Sequence, residues 1–278
     1  MIQTLTKRSG ELCLAALFVS GLSGFILAFQ YDPSTPFVST VSIDALLPFG
    51  RFLRSLHFWS SQSFFLLLIW HAYKNIPETD RIGKTSKGIL YWMVLTSTLF
   101  FGVYALFSGY ILRFDQTGQD AARIAEHLFL TIPGIGNAID RFLLALADEG
   151  VNRVYVVHIF FTFVLWLLGT WYHLGRTILR ADVLFITFSL TILFSSLVPA
   201  PLDPKDITMD LVKGPWFFLG IQELLRYLPP FWAGVVFPGV SIISFGALCI
   251  RRAKKVAAFI LISWLISYML LTVIAILR

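Results

Sequence analysis

Residues 55–75 read SLHFWSSQSFFLLLIWHAYKN, with His57 and His71 bracketing an apolar run that holds no charge. Fourteen residues at about 1.5 Å each would set the two rings roughly 21 Å apart along a helix. Fourteen steps of about 100° return to within roughly 40° of the starting direction, so both rings share one face. Residues 157–176, VHIFFTFVLWLLGTWYHLGR, repeat the device: His158 and His173 are 15 apart, again near one face.

The rest of the chain tells what kind of helices these are. Its 278 residues are 57% hydrophobic and only 14% charged, with a mean hydropathy of +0.77. Those values exceed what a soluble globular domain shows and predict an all-α polytopic membrane protein. A spanning helix needs about 20 apolar residues. Candidate spans are 11–30, 53–73, 89–112, 154–174, 183–199, 231–250 and 256–277, about seven, the fifth short. ELCLAALFVSGLSGFILAF follows a basic pair but no small-residue cleavage site ends it, so it reads as a retained helix. Residues 1–180 hold four spans and all five histidines; residues 181–278 hold three spans and none. That predicts a four-helix cofactor-bearing bundle followed by a three-helix unit.

Basic residues give the orientation. With a cytoplasmic N-terminus, the inner segments hold twelve basic against four acidic residues, and the outer ones ten against twelve. RIGKTSK and RRAKK fall in short inner loops. The pI near 9.4 reflects this asymmetry and gives no reason to expect nucleic acid. Between the spans, AARIAEHLFLTI and NAIDRFLLALAD have helical period and are parted by PGIG, which predicts two short surface helices. GPWFFLGIQELLRYLPP predicts an interfacial helix stopped by Pro229 and Pro230. Cys13 and Cys249 lie in apolar helices and read as small packing residues.

The second and fourth spans both run from outside to inside. His57 and His158 then lie at one outer depth, and His71 and His173 at one inner depth. Two facing helices would present two stacked His–His pairs. Each suits a six-coordinate haem iron with no open position, hence electron transfer. Zinc would want its ligands converging on one point. Lone intramembrane histidines also serve as interhelical polar contacts or proton relays. His127 falls outside the pattern, in an outer loop. Arg54 and Arg153 flank the outer pair, Lys74 and Arg176 the inner one; they either meet haem propionates or snorkel at helix ends. Gly10 and Gly24, also 14 apart, would let a flat macrocycle approach the first helix.

With these residues in place, the chain resembles cytochrome b of the Rieske/cytochrome b (quinol–cytochrome c or plastocyanin reductase) complexes. RSLHFWSSQSFFLLLIWHAYK is similar to that family's second helix and RVYVVHIFFTFVLWLLGTWYH to its fourth, in the split chloroplast and Gram-positive form. SGFILAFQYDP, SGYILRFDQTGQDA and LTIPGIGNAI resemble the ends of its first and third helices and the short-helix pair. KGPWFFLGIQELLRYLPPFWAGVVFPG resembles the segment of anaerobic bacterial relatives that stands at the Pro-Glu-Trp-Tyr motif.

The resemblance implies two non-covalent haem b groups, the outer held by His57 and His158 and the inner by His71 and His173, with Gly109 packing against haem. It implies quinol oxidation near the outer face and electron passage through both haems to quinone inside. Menaquinone is the preferred quinone because of KGPWFFLG. It implies a Rieske-type iron–sulfur protein and a c-type cytochrome as partners, a dimer, contact with membrane lipid, and the bacterial inner membrane. Asp182 matches the acid at the inner quinone site, either a proton donor or a helix N-terminal acid stabilised by the dipole.

Departures gather at the outer site. Arg113 and Phe114 replace the Pro-Trp pair ending the third helix, and Pro215 stands where the family has its proton-accepting glutamate. Glu223, Asp115 and Tyr110 are the remaining candidates for that role. Leu95 replaces a haem-packing glycine, and Arg8 stands where an extra covalent haem needs cysteine. Two alternatives stand beside quinol oxidation. One is a dihaem anchor exchanging electrons between quinone and a periplasmic multihaem or dehydrogenase partner. The other is a proton-coupled transporter without haem.

Overall fold

The computed structural model describes residues 8–145, 150–173, 180–204 and 213–278, and the regular structure among them is entirely helical. In chain order come α1 (Ser9–Ala28), α2 (Pro36–Leu46), α3 (Gly50–Lys74), α4 (Ser86–Arg113), α5 (Gln116–Leu130) and α6 (Gly136–Leu143). There follow α7 (Gly150–Leu167, prolonged by a π-helical turn, Leu168–His173), α8 (Ala181–Leu197) and α9 (Leu219–Leu224). Last are α10 (Phe237–Ala247, led in by π-helical Trp232–Val236) and α11 (Lys254–Leu277). Single turns cover Ile76–Glu78, Thr79–Ile82 and Trp216–Phe218.

α1, α4, α7 with its π turn, and α11 are each long and apolar enough to cross a bilayer. α3 has 25 residues, and its serines, arginines and Gln62 make it the more polar span. α8 and the Trp232–Ala247 stretch are shorter apolar helices. This is a multi-pass membrane protein. Its outside is what lipid requires: Phe185, Leu193, Ile243, Phe259 and Met269 all stand exposed.

α1 lies along α3, and α4 along α7. Small residues let α1 approach closely, since Ala15 and Ala16 are fully buried. Cys13, Leu14 and Leu17 of α1, Phe64 of α3 and Leu165 of α7 form the joint between the two helix pairs. A larger cluster nearer the outer end joins Phe65, Tyr104, Phe107, Tyr110 and Ile111 to Leu143 and Leu144, Val154 and Phe217. It fixes α5 and α6 on the bundle as the two short helices expected. α8 packs on α1 and α3, while α9 and α10 pack on α11.

One helix escapes the sequence pattern. PFVSTVSIDAL is short and mixed, yet α2 forms with Pro36 in its first turn. Asp32 shapes the entry by accepting from Ser34 N (2.9 Å) and Ser34 Oγ (2.7 Å). The corner into α3 tolerates only glycine at position 50, because a Cβ there would lie 1.8 Å from the Ile43 carbonyl oxygen. Asp115 turns the α4–α5 corner, accepting from Gly118 N at 2.9 Å as the N-cap of α5.

Candidate functional site

α3 and α7 bring the four histidines together as two pairs. The His57 and His158 ring centroids are 6.2 Å apart with planes at 73°. Those of His71 and His173 are 5.7 Å apart at 74°. Two metal–imidazole bonds of about 2.0 Å each, with half a ring added on either side, span about the same distance. Among the described residues no three metal-ligating side chains converge, so any metal here is held pairwise.

The pairs match although the sequence spacings differ by one. Fifteen residues of regular α-helix would overshoot by about 60° where fourteen fall short by about 40°. The π turn at Leu168–His173 absorbs one residue, as π-bulges do. It brings His173 to the register that His71 has on α3.

Each ring is tied back through Nδ1. His57 Nδ1 lies 2.9 Å from the Ser20 carbonyl oxygen. Ser108 Oγ is 2.9 Å from His158 Nδ1, and Ser9 Oγ is 3.0 Å from His71 Nδ1. Tyr91 Oη is 2.6 Å from His173 Nδ1. A carbonyl can only accept, so His57 carries its proton on Nδ1 and offers the Nε2 lone pair. Outer-shell bonds of this kind orient imidazoles that ligate metals.

Glycines make room for the rings themselves. A Cβ on Gly24 would lie 2.7 Å from His57 Cε1, and one on Gly10 would lie 2.9 Å from His71 Cε1. At Gly109 the distance to His158 Cε1 is an easier 3.5 Å. A cavity of about 260 Å³ adjoins the inner pair, lined by Gly10, Leu14, His71, Leu95, Gly169 and His173 among others. Its size, apolar lining and paired imidazoles fit a flat hydrophobic cofactor with a metal at its centre.

The basic residues divide. Arg54 grips Asp44 of α2 with Nε and Nη2, both at 2.6 Å, and donates to the carbonyls of Ala200 and Pro201 at 2.9 and 3.0 Å. Four of its five N–H groups are thereby used inside the protein. No sequence pattern marks this, because Asp44 sits on the short helix α2, which has no strong period of its own. Arg153, five residues before His158, instead has a buried Nη1 with no hydrogen-bond partner among the described residues, an open cationic donor near the His57–His158 pair's end of α7. Lys74 ends α3 beyond His71. Arg176 lies outside the described residues.

The candidate acids and Tyr110 stand elsewhere. Asp182 opens α8, exposed, and pairs with Arg8 (3.4 Å) and Arg180 (3.1 Å). Glu223 is 2% exposed, and its carboxylate meets Arg226 (3.2 Å), Arg278 (3.1 Å) and the Tyr227 hydroxyl (2.8 Å). Tyr110 packs on Phe217 under the Arg113 guanidinium, 4.5 Å from its ring. Arg113 also donates to the Pro201 carbonyl at 3.0 Å and pairs with Asp115 at 3.1 Å. Asp115 is fully buried and accepts from Asp203 N at 3.0 Å. Burial raises the Asp115 pKa, and the Arg113 charge opposes the rise. His127 sits in the last turn of α5, away from both pairs.

Sequence reasoning missed the three side chains that hold Nδ1, but a signal exists for two. Ser-Gly stands at 9–10, and again at 108–109. In these two the serine holds Nδ1 of the histidine that the glycine admits; at the third Ser-Gly, 23–24, Gly24 admits His57 but Ser23 bonds the Val19 and Ser20 carbonyls instead. Tyr91 has no such mark.

Residues 5–180 match the family model described as Cytochrome b/b6/petB. Cytochrome b6 of Heliobacterium modesticaldum is 29% identical over 155 residues, 54% of this chain and 71% of that protein. Cytochrome b of Bugula neritina is 25% identical over 264 residues, 82% of this chain and 70% of that one. A solved chain described as belonging to a hyperthermophilic respiratory Complex III has the same fold, with a TM-score of 0.70 at 20% identity over 97% of this chain and 83% of its own. The sequence match covers α3 and α7, which carry both histidine pairs, and the chain belongs to the cytochrome b/b6 family.

Proposed function

We propose that this membrane cytochrome b carries two haem b groups, one between His57 and His158 and one between His71 and His173. It oxidises quinol, menaquinol by preference, near its outer face. The carrying observation is the pair of facing imidazoles at each of two depths, every ring tied back through Nδ1, with Asn75 Nδ2, 3.4 Å from both nitrogens of His71, also near one Nε2. Haem bound there supplies a reversible one-electron carrier with no open coordination position. Residues 1–180 hold both cofactors, and residues 181–278 complete the quinone sites. Arg153 supplies the charge for an outer propionate; Lys74 and Arg176 do so for the inner haem. Asp182 passes protons at the inner quinone site, where its exposure gives it contact with water. The chain lies in the bacterial inner membrane with its N-terminus cytoplasmic, as one subunit of a dimeric complex with a Rieske-type protein and a c-type cytochrome.

The test is a reduced-minus-oxidised spectrum with pyridine haemochrome counting on the purified protein. Two haems per chain are expected, and His71→Ala and His158→Ala should each lose one. A haem-free protein refutes the reading.

One observation favours a second reading. Glu223 is already held by two arginines and a tyrosine, and Asp115 by Arg113 and two backbone N–H groups. Tyr110 then remains at the outer site, and its phenol, already protonated at neutral pH, is a poorer proton acceptor than an ionised carboxylate. On this reading the chain is a dihaem anchor serving a multihaem or dehydrogenase partner. A Rieske iron–sulfur signal in the purified complex, with quinol oxidation blocked by an outer-site inhibitor, decides for the first reading; absence of both decides for the second.

A further inference from the structure

The four Nδ1 anchors are two serine hydroxyls, the Ser20 carbonyl and the Tyr91 hydroxyl, and the tyrosine stands where a serine pattern is interrupted. Ser9-Gly10 of α1 serves His71, and Ser108-Gly109 of α4 serves His158. Fourteen residues before Ser108-Gly109, at the level of His173, stands Val94-Leu95. Valine cannot bond an imidazole, and the Leu95 side chain lines the inner cavity instead. Tyr91, one turn earlier on the same face of α4, reaches across with its hydroxyl. Its oxygen lies 2.6 Å from His173 Nδ1, closer than either serine lies to its histidine. The ring is steadied against Tyr172, with centroids 5.3 Å apart and planes at 31°.

Resting on the haem ligation proposed above, we propose that Tyr91 is a positioning residue of the inner pair that sets the potential of the iron held by His173. When Nε2 ligates a metal, Nδ1 must carry the ring proton, so the phenol oxygen accepts. A short bond from Nδ1–H to an acceptor raises the basicity of the ligating nitrogen. A more basic ligand favours the more highly charged, oxidised iron, so Tyr91 holds the inner potential down.

The experiment is a potentiometric titration of purified holoprotein carrying Tyr91→Phe, following b-type absorbance. Two haems per chain are retained, and one potential rises while the other stays. At the wild-type midpoint of that haem the reduced-to-oxidised ratio increases about three- to tenfold, tenfold being about 59 mV for one electron. Tyr91→Gln, which keeps an oxygen acceptor on a long stem, returns most of the shift. An unmoved potential, a fall, or an equal shift of both haems overturns the assignment. If Tyr91→Phe loses the inner haem, Tyr91→Gln decides: two haems support the role, and one haem overturns it. Failure of the ligation itself shows separately, as fewer than two haems in the unsubstituted protein or two in His173→Ala.

Discussion

Deleting Thr170 should leave both proposed haem sites intact, although it shortens the distance between two proposed ligands by one residue. Thr170 lies inside the π turn Leu168–His173, where its hydroxyl donates to the Trp166 carbonyl at 2.7 Å. Removal lets the turn close as ordinary α-helix, and the spacing from His158 to His173 becomes the fourteen that α3 already uses. His173 then keeps its position opposite His71. The contrasting change is deletion of Leu66 from α3, where no π turn is present to absorb it. Leu66 is 54% exposed on the lipid side, so its own contacts are few and the effect comes through register. One lost residue rotates the C-terminal part of α3 by about 100° and carries each Cα, on a cylinder of about 2.3 Å radius, through about 3.5 Å, with about 1.5 Å of axial slip. That turns His71 away from His173. The assay is haem per chain by pyridine haemochrome, with reduced-minus-oxidised spectra to tell the two haems apart. The Thr170 deletion should retain two haems and the Leu66 deletion one. Equal loss from both would refute the idea that the π turn stores the extra residue.

Three further outcomes rest on the same geometry. Gly24→Val and Gly10→Val should each lose one haem, the outer and the inner respectively, because even a Cβ comes within 2.7 and 2.9 Å of the imidazole; alanine at either position should cost about 1–3 kcal/mol by overpacking, read as a lowered thermal midpoint of the holoprotein. Arg113→Leu leaves the fully buried Asp115 carboxylate without its counter-ion and should cost about 3–5 kcal/mol, seen as thermal unfolding in detergent, with most of the loss recovered in Arg113→Leu/Asp115→Asn. Asp182→Asn should leave thermal stability nearly unchanged, since solvent screens exposed ion pairs, yet slow quinone reduction at the inner side; unchanged turnover would remove Asp182 from that site.

The bundle was legible because its constraints are periodic. Spacings of 14 and 15 put histidines on one face at two depths whatever the neighbours are, and apolar length marks α1, α4, α7 and α11, while α3 is more polar and the other two candidates are shorter. α2 was not legible: eleven mixed residues carry no strong period, and the helix owes its shape to Pro36, the Asp32 turn and the close corner at Gly50. The role of Arg54 was hidden for the same reason, since its partner Asp44 comes from α2. Gly10 and Gly24 were visible by their period, but the space they keep is for the histidine rings as much as for a macrocycle. The π turn could not be read, because a spacing of 15 is consistent with a regular helix until the opposite helix fixes where the ring must point.

The outer corner shows how a departure from a motif can carry its own structural logic. Arg113 stands where a family Pro-Trp pair would, and a buried guanidinium needs acceptors. It finds them in Asp115 and in the Pro201 carbonyl, which Arg54 also holds. Two arginines from α3 and α4 thus pin the start of the connector that leaves α8, and Asp203 and Thr117 lock it further. A side chain so engaged has little freedom to serve a substrate, although Arg113 Nε is buried without a partner. Electrostatics then sets the order of events on mutation. Losing Arg113 exposes the Asp115 charge to an apolar surround and frees the connector, so the outer corner should loosen while the inner histidine pair, on the far side of the bundle, stays in register. Arg113→Leu should therefore lower the thermal midpoint without changing the potential proposed to depend on Tyr91, and a shift of that potential would show the two ends to be coupled through α4.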